Sequence, residues 1–218
     1  NDMIRYVGGK RLMLLLTTRP VESSLLVDSL LHLSPLNPRE GHEMLRSDPM
    51  MQAIGAEAVE VLIERAAGNP FFLEELAFAA QAGADPDGEA PETVQAVVTV
   101  RVGSLSQELR NLVYIIAAIG APAPPELIVH LFGRDADDVL QLIELLMKKG
   151  FLVQELDGFS FRHMLINDTA YSMIARPDRV RLHGRIAQYL EGAYRHGGVR
   201  PEKLAWHYQE AGEIQNAL

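Results

Sequence analysis

Asp135-Ala-Asp-Asp-Val-Leu-Gln-Leu-Ile-Glu-Leu-Leu-Met-Lys-Lys149, Gly150, Phe151-Leu-Val-Gln-Glu-Leu156, Asp157-Gly158 and Phe159-Ser-Phe-Arg162 follow one another without interruption. The first part has helical periodicity, with Val139, Leu142, Ile143, Leu145 and Leu146 on one side. Carboxylates crowd its start and Lys148 and Lys149 its end, as the helix dipole favours, and Gly150 stops it. Two short alternating runs about Asp157-Gly158 then predict a β-hairpin.

Towards the N-terminus, Gly120-Ala-Pro-Ala-Pro-Pro125 separates a short helix over 126–132 from one over 107–119, for which Ser106 is the N-cap. Another helix is expected over 91–103. Helices followed by a hairpin in this order make a winged helix. Before them, Gly83-Ala-Asp-Pro-Asp-Gly-Glu-Ala-Pro91 reads as an exposed, mobile linker. Further helices are expected over 38–47, with Asn37 as N-cap, over 56–67 and from Pro70 to 82. The apolar run Arg11-Leu-Met-Leu-Leu-Leu-Thr17 reads as a buried strand closed by Pro20, and 30–33 as a second short strand. After the hairpin, 165–174, 177–194, 201–211 and 214–218 read as helices, and Leu204-Ala-Trp-His-Tyr-Gln-Glu-Ala-Gly212 has the look of a helical repeat.

The 218 residues are 48% hydrophobic and 22% charged, enough for substantial cores without staples. They contain no cysteine, which removes disulfides and thiolate sites and makes a reducing cytoplasm the simplest home. No signal-peptide or membrane-spanning pattern is visible, and the sequon at Asn167-Asp168-Thr169 lacks a secretory context. A net charge of −9 argues against nucleic acid as the main partner. Asp135, Asp137 and Asp138, at the start of the helix that would read DNA, argue the same way. The basic stretch Arg176, Arg179, Arg181, Arg185, with His183 among them, reads as a solvated face or a surface for another domain.

No self-contained catalytic centre is legible. Gly8-Gly9-Lys10 is not a phosphate-binding loop: Arg5 stands where the loop needs glycine, and Arg11 where it needs Ser or Thr. The histidines show no i, i+4 pair, so no metal site is expected. Glu74 and Glu75 are neighbours on a helix, about 100° apart, and do not face a common substrate.

Three segments together resemble a known family. Leu14-Leu-Leu-Thr-Thr-Arg-Pro20, Gly68-Asn-Pro-Phe-Phe-Leu-Glu-Glu-Leu76 and Phe161-Arg-His-Met-Leu-Ile-Asn-Asp-Thr-Ala-Tyr171 are similar in order and spacing to the C-terminal part of STAND signal-transduction ATPases (AAA+/NB-ARC-like). The nearest likeness is to the ATPase modules attached to bacterial class III adenylate and guanylate cyclases and to large transcriptional regulators. The resemblance runs from Arg11 to the end.

It implies a mainly α fold in four parts. These are a remnant of the α/β nucleotide-binding core (1–36), a helical lid (37–90), a winged-helix domain (91–176) and the start of TPR-like helical repeats (177–218). It also implies three nucleotide contacts in a complete parent. Arg19 is the sensor arginine facing the terminal phosphate, Pro70 the lid proline on adenine, and His163 the histidine at the diphosphate of ADP. The plainer readings are a solvent-facing arginine, a helix-starting proline, and a histidine that caps or fills the core. The family's Walker A loop and Mg-binding Walker B strand are absent from these residues. The expectation is therefore a regulatory module that is not an enzyme by itself, holds no cofactor of its own, and uses ATP or ADP with Mg only in a complete parent. Its partners would be an upstream nucleotide-binding core and an effector domain or protein, with no membrane. A first residue of Asn beside a strand is expected to mark a truncation. The alternatives are a winged-helix DNA-binding regulator, acting through Arg179 and Arg181, and a protein-binding adaptor that self-associates through exposed apolar residues.

Overall fold

The computed structural model describes residues 30–86, 88, 91–194 and 201–213. The chain divides into two units, Asn1–Pro35 and Leu36–Leu218, and the elements below belong to the second. The expected strand over 11–17 lies outside the described residues. Leu30–Leu33, expected as a strand, has no regular structure and is largely exposed, so no neighbouring strand pairs with it among the described residues.

The second unit is mainly helical, with a small antiparallel sheet. Helix α1 (Pro38–Ser47) starts with a full capping box, in which Asn37 Oδ1 accepts from Glu40 N and Glu40 returns a bond to Asn37 N. A 3-10 turn, Pro49–Met51, leads to α2 (Ala56–Ala66), which ends on Ala67 at φ +47. Helix α3 (Pro70–Gln81) follows, its N-cap Asn69 accepting from Phe72 N at 3.1 Å. It is buried from Leu73 to Phe78, packs against α1, α2 and α4, and carries Glu74 and Glu75 into the interior. Leu45, Leu62, Leu73, Leu76 and Phe78 form the first apolar core. The acidic stretch after α3 is partly tied down: Arg65 donates to the carbonyls of Pro86 and Gly88.

Helix α4 (Val94–Ser104) starts three residues later than expected, because Thr93 rather than the proline region supplies the cap. It joins the two cores, with Val97 in the first and Val98 and Val102 in the second. The second core is built by α5 (Gln107–Ile119), α6 (Pro125–Phe132), α7 (Ala136–Lys148), β1 (Leu152–Glu155), β2 (Gly158–Phe161) and α8 (Met164–Met173). Leu112, Ile116, Ile128, Ile143, Leu146 and Ile166 are fully buried there. Truncating one such residue to alanine typically costs about 2–5 kcal/mol.

The hairpin register pairs Leu152 with Phe161 and Glu155 with Gly158. Leu156 and Asp157 are therefore the loop, and Gly158 opens β2 instead of completing the turn. The backbone passing beside it explains the shift. Ala123 exchanges two hydrogen bonds with Phe159 (2.8 and 3.0 Å), and a Cβ on Gly158 would lie 2.2 Å from the Ala123 carbonyl oxygen.

Gly150 closes α7 in a Schellman turn. Its N–H donates to Met147 O at 2.9 Å, and Phe151 N–H donates to Leu146 O at 3.0 Å, with Gly150 at φ +74. The Phe78 ring lies directly against this glycine. The unit ends with α9 (Arg176–Tyr194) and α10 (Pro201–Glu210), packed on each other; 214–218, expected as helix, lies outside the described residues. Among the described residues no helix is long and apolar enough to cross a membrane.

Candidate functional site

The segments Gly68–Leu76 and Phe161–Tyr171 meet in space. Pro70 occupies the first turn of α3, so its missing N–H costs nothing. One residue on, the Phe71 ring packs on the His163 imidazole with centroids 4.2 Å apart. One turn further along α3, Glu74 spreads its carboxylate over two consecutive residues leaving β2. Its Oε1 accepts from an Arg162 guanidinium N–H at 2.5 Å, and its Oε2 lies 2.6 Å from His163 Nε2. Arg162 also faces Asp48 Oδ2 at 3.3 Å and lies over the Phe78 ring at 5.4 Å. His163 is the N-cap residue of α8, yet its side chain caps nothing. Neither the capping nor the core-filling reading describes it: it points across to α3.

Behind this pair lies a second, fully buried one. Glu75 and Arg101 form an ion pair, and the other arm of the guanidinium donates to Lys149 O at 2.6 Å, satisfying the end of α7. The guanidinium is sandwiched by Phe78 at 4.8 Å and Phe151 at 4.4 Å. Glu75 Oε1 has no partner. Burial pushes the Glu75 carboxyl up and the Arg101 guanidinium down, each opposed by attraction to the other. The adjacent carboxylates thus diverge as the helix angle requires, each onto its own arginine.

A third polar group joins α8, α9 and α10. His183 Nδ1 and His207 Nδ1 are 2.9 Å apart, His183 Nε2 is 2.9 Å from the Tyr171 hydroxyl, and that hydroxyl reaches Glu210 Oε2 at 3.5 Å. Two adjacent nitrogens require one donor and one acceptor, so at most one carries a proton. With His207 donating to His183, His183 to Tyr171 and Tyr171 to Glu210, every N–H and O–H has an acceptor, and only the His207 Nε2 lone pair is left over. The opposite direction would bury an unpaired N–H, which is costlier. Trp206 sets its ring edge-on against His183, and Arg179 lies over the Tyr171 ring at 5.3 Å. Burial drives the His207 pKa down from 6.5 to about 3, helped by neighbouring His183 and Lys203. Burial also lowers His183, against the pull of Glu210.

Of the three residues singled out in the sequence, Pro70 and His163 are brought to one junction, and Arg19 lies outside the described residues. Sequence reasoning weighed Glu74 and Glu75 only as neighbours facing apart and did not foresee their partners Arg162 and Arg101. The available signal was α3 itself, a helix apolar on nearly all sides whose two carboxylates must therefore be paired. The basic stretch is partly tied to the protein itself, although Arg176, Arg181 and Arg185 stay exposed. Arg185 donates to Leu131 O at 2.7 Å, Arg181 pairs with Asp178, Arg179 covers Tyr171, and His183 is buried. Asp135, Asp137 and Asp138 are exposed at the start of α7.

Among the described residues no group of three or more His, Asp or Glu is arranged to hold a metal ion. No family model matches the chain, and neither does any curated protein.

Proposed function

We propose that this chain is the regulatory module of a nucleotide-switched STAND-type ATPase. In this reading 37–90 is the lid, 91–176 the winged-helix domain and 177–218 the beginning of a TPR-like region. It works with a phosphate-loop core that these 218 residues do not contain. The observation that carries the reading is the junction itself. Pro70 and His163, which the resemblance places at the adenine and the diphosphate of bound ADP, come from segments about ninety residues apart, and the residue after Pro70, Phe71, packs on His163.

The residues present fit such a ligand in kind. A guanidinium and an imidazole, both partly open to solvent, are the groups that hold phosphate oxygens. The sequence carries no phosphate-binding-loop pattern, and among the described residues none are grouped to hold the metal that turnover needs, so the chain alone is predicted not to hydrolyse ATP. In a complete parent, ADP would hold lid and winged helix closed on the core, and exchange for ATP would shift the population towards the open form. The stacked α9–α10 pair would pass that change to an effector.

A DNA-binding role is disfavoured by the exposed carboxylates of α7 and by the ties of Arg179 to the Tyr171 ring and of Arg185 to Leu131 O. The test is the intact mass and nucleotide content of the native gene product from its own cells. A protein much larger than 24.1 kDa carrying bound ADP supports the switch. A nucleotide-free product of about this mass contradicts it and favours the adaptor.

A further inference from the structure

We propose that the Glu74 carboxylate is a resident stand-in for a phosphate group, occupying an anion site made by Arg162 and His163 and so gating it. The inference rests on the switch reading for the identity of the natural ligand, a nucleoside diphosphate. The site itself rests on geometry.

Arg162 and His163 are consecutive residues that turn their polar atoms onto one carboxylate, each taking a different oxygen, at 2.5 and 2.6 Å. Their backbone is fixed on both sides: Arg162 N–H donates to Phe151 O at 3.0 Å, and His163 begins α8. The start of that ten-residue helix adds positive potential beside the same spot. Two donors set to hold two oxygens of one anion hold a carboxylate or a phosphate equally well. Access differs between the partners. Side-chain exposure is 37% for His163 and 24% for Arg162 but 11% for Glu74, so the donors meet solvent while the carboxylate reaches them from the protein side. A tethered anion in contact excludes a free one by effective concentration.

Asp48 does not play this part. Its Oδ1 is committed to Met50 N at 2.9 Å, and only Oδ2 reaches Arg162, at 3.3 Å. It keeps the guanidinium partnered when Glu74 lets go.

The regulatory consequence is a competition. With Glu74 in place, α3 is pinned to the hairpin exit and the site is closed to phosphate. When a diphosphate takes the donors, Glu74 is released and the bound ligand, rather than α3, holds the hairpin exit, so that the tie passes from within the chain to the nucleotide.

The experiment is titration calorimetry of inorganic pyrophosphate into the chain, its Glu74→Gln variant, and Glu74→Gln combined with His163→Ala. Removing one competing charge-assisted contact should tighten binding roughly ten- to a hundredfold in Glu74→Gln, and adding His163→Ala should abolish the gain. A Glu74→Gln protein that binds pyrophosphate no better than the native chain overturns the proposal. So does a gain that survives His163→Ala. Should Glu74→Gln not fold, the native chain still decides: saturating pyrophosphate must move the His163 ring resonances, and unmoved resonances overturn it. The outcome separates from the switch reading. A pyrophosphate gain with no effect of His163 on ADP in the native gene product leaves the anion site and removes the switch; the reverse pattern does the opposite.

Discussion

Acidification should loosen the α9–α10 pair in a measurable and calculable way. His207 is fully buried, and its pKa falls from the ordinary 6.5 to about 3 in the folded chain. The folded state therefore keeps a neutral imidazole where the unfolded chain would take a proton, so the unfolded state gains protons first as pH drops. The stability from this group is complete above the unfolded pKa and is lost as pH falls from there towards the folded value. At about 1.4 kcal/mol per unit over the roughly 1.5 units between the unfolded pKa and about pH 5, the loss is about 2 kcal/mol. His183 shifts in the same direction and adds to the loss. Glu75 works in the opposite sense, since its burial cost is present near neutral pH and is relieved on acidification. The comparison with His207→Gln removes that contribution, because this variant cannot titrate but retains a donor for His183 Nδ1. Urea unfolding of both proteins between about pH 7.5 and 5 is the assay. The native chain should lose about 2 kcal/mol more than the variant. Equal losses in the two proteins would refute the assignment of a buried neutral pair.

Other outcomes follow from the same contacts. Arg101→Met leaves Glu75 as an uncompensated buried carboxylate and should cost about 3–5 kcal/mol in urea unfolding, whereas Arg101→Met with Glu75→Leu should recover much of it. Gly150→Ala places a Cβ 2.1 Å from the Phe78 ring at φ +74, so thermal unfolding should show a loss of at least about 2 kcal/mol. Leu156, at the hairpin loop, is fully exposed, and Leu156→Lys should change stability by less than about 0.5 kcal/mol. Duplex DNA should show no salt-sensitive retention by the chain in a filter or mobility assay; tight binding lost on Arg179→Glu would reverse the reading of the basic stretch.

Much of the fold was legible because its signals are local. Asn37 and Ser106, read as N-caps, do cap their helices with their own side chains, and Asn69 and Asp135 do so at starts placed within a residue, whereas the Thr93 cap was passed over for the proline two residues before it. The hairpin was equally legible, but its loop was placed one step late because the need for glycine at position 158 comes from Ala123, a contact 35 residues away that no local pattern encodes. Leu30–Leu33 shows the converse failure, an apolar run that stays exposed and unpaired among the described residues, which its composition alone does not reveal. For the site, the sequence picked out Pro70 and His163 but not Glu74, which joins Arg162 to His163. A carboxylate's partner across 89 residues is set by how α3 docks on the hairpin, and charge patterning along the chain carries no trace of that. The histidine pair was hidden for the same reason: His183 looked like part of a basic face until α10 brought His207 against it.

The nucleotide switch is tested most directly by the rate at which fluorescent ADP leaves the native gene product, compared with its His163→Ala variant. Loss of one charge-assisted contact to the diphosphate should speed release about tenfold or more, while ATP turnover by the isolated 218 residues stays at background. Release unchanged by His163→Ala, or a native product that binds no ADP, would contradict the switch and leave the junction of α3 with the hairpin as a purely structural contact.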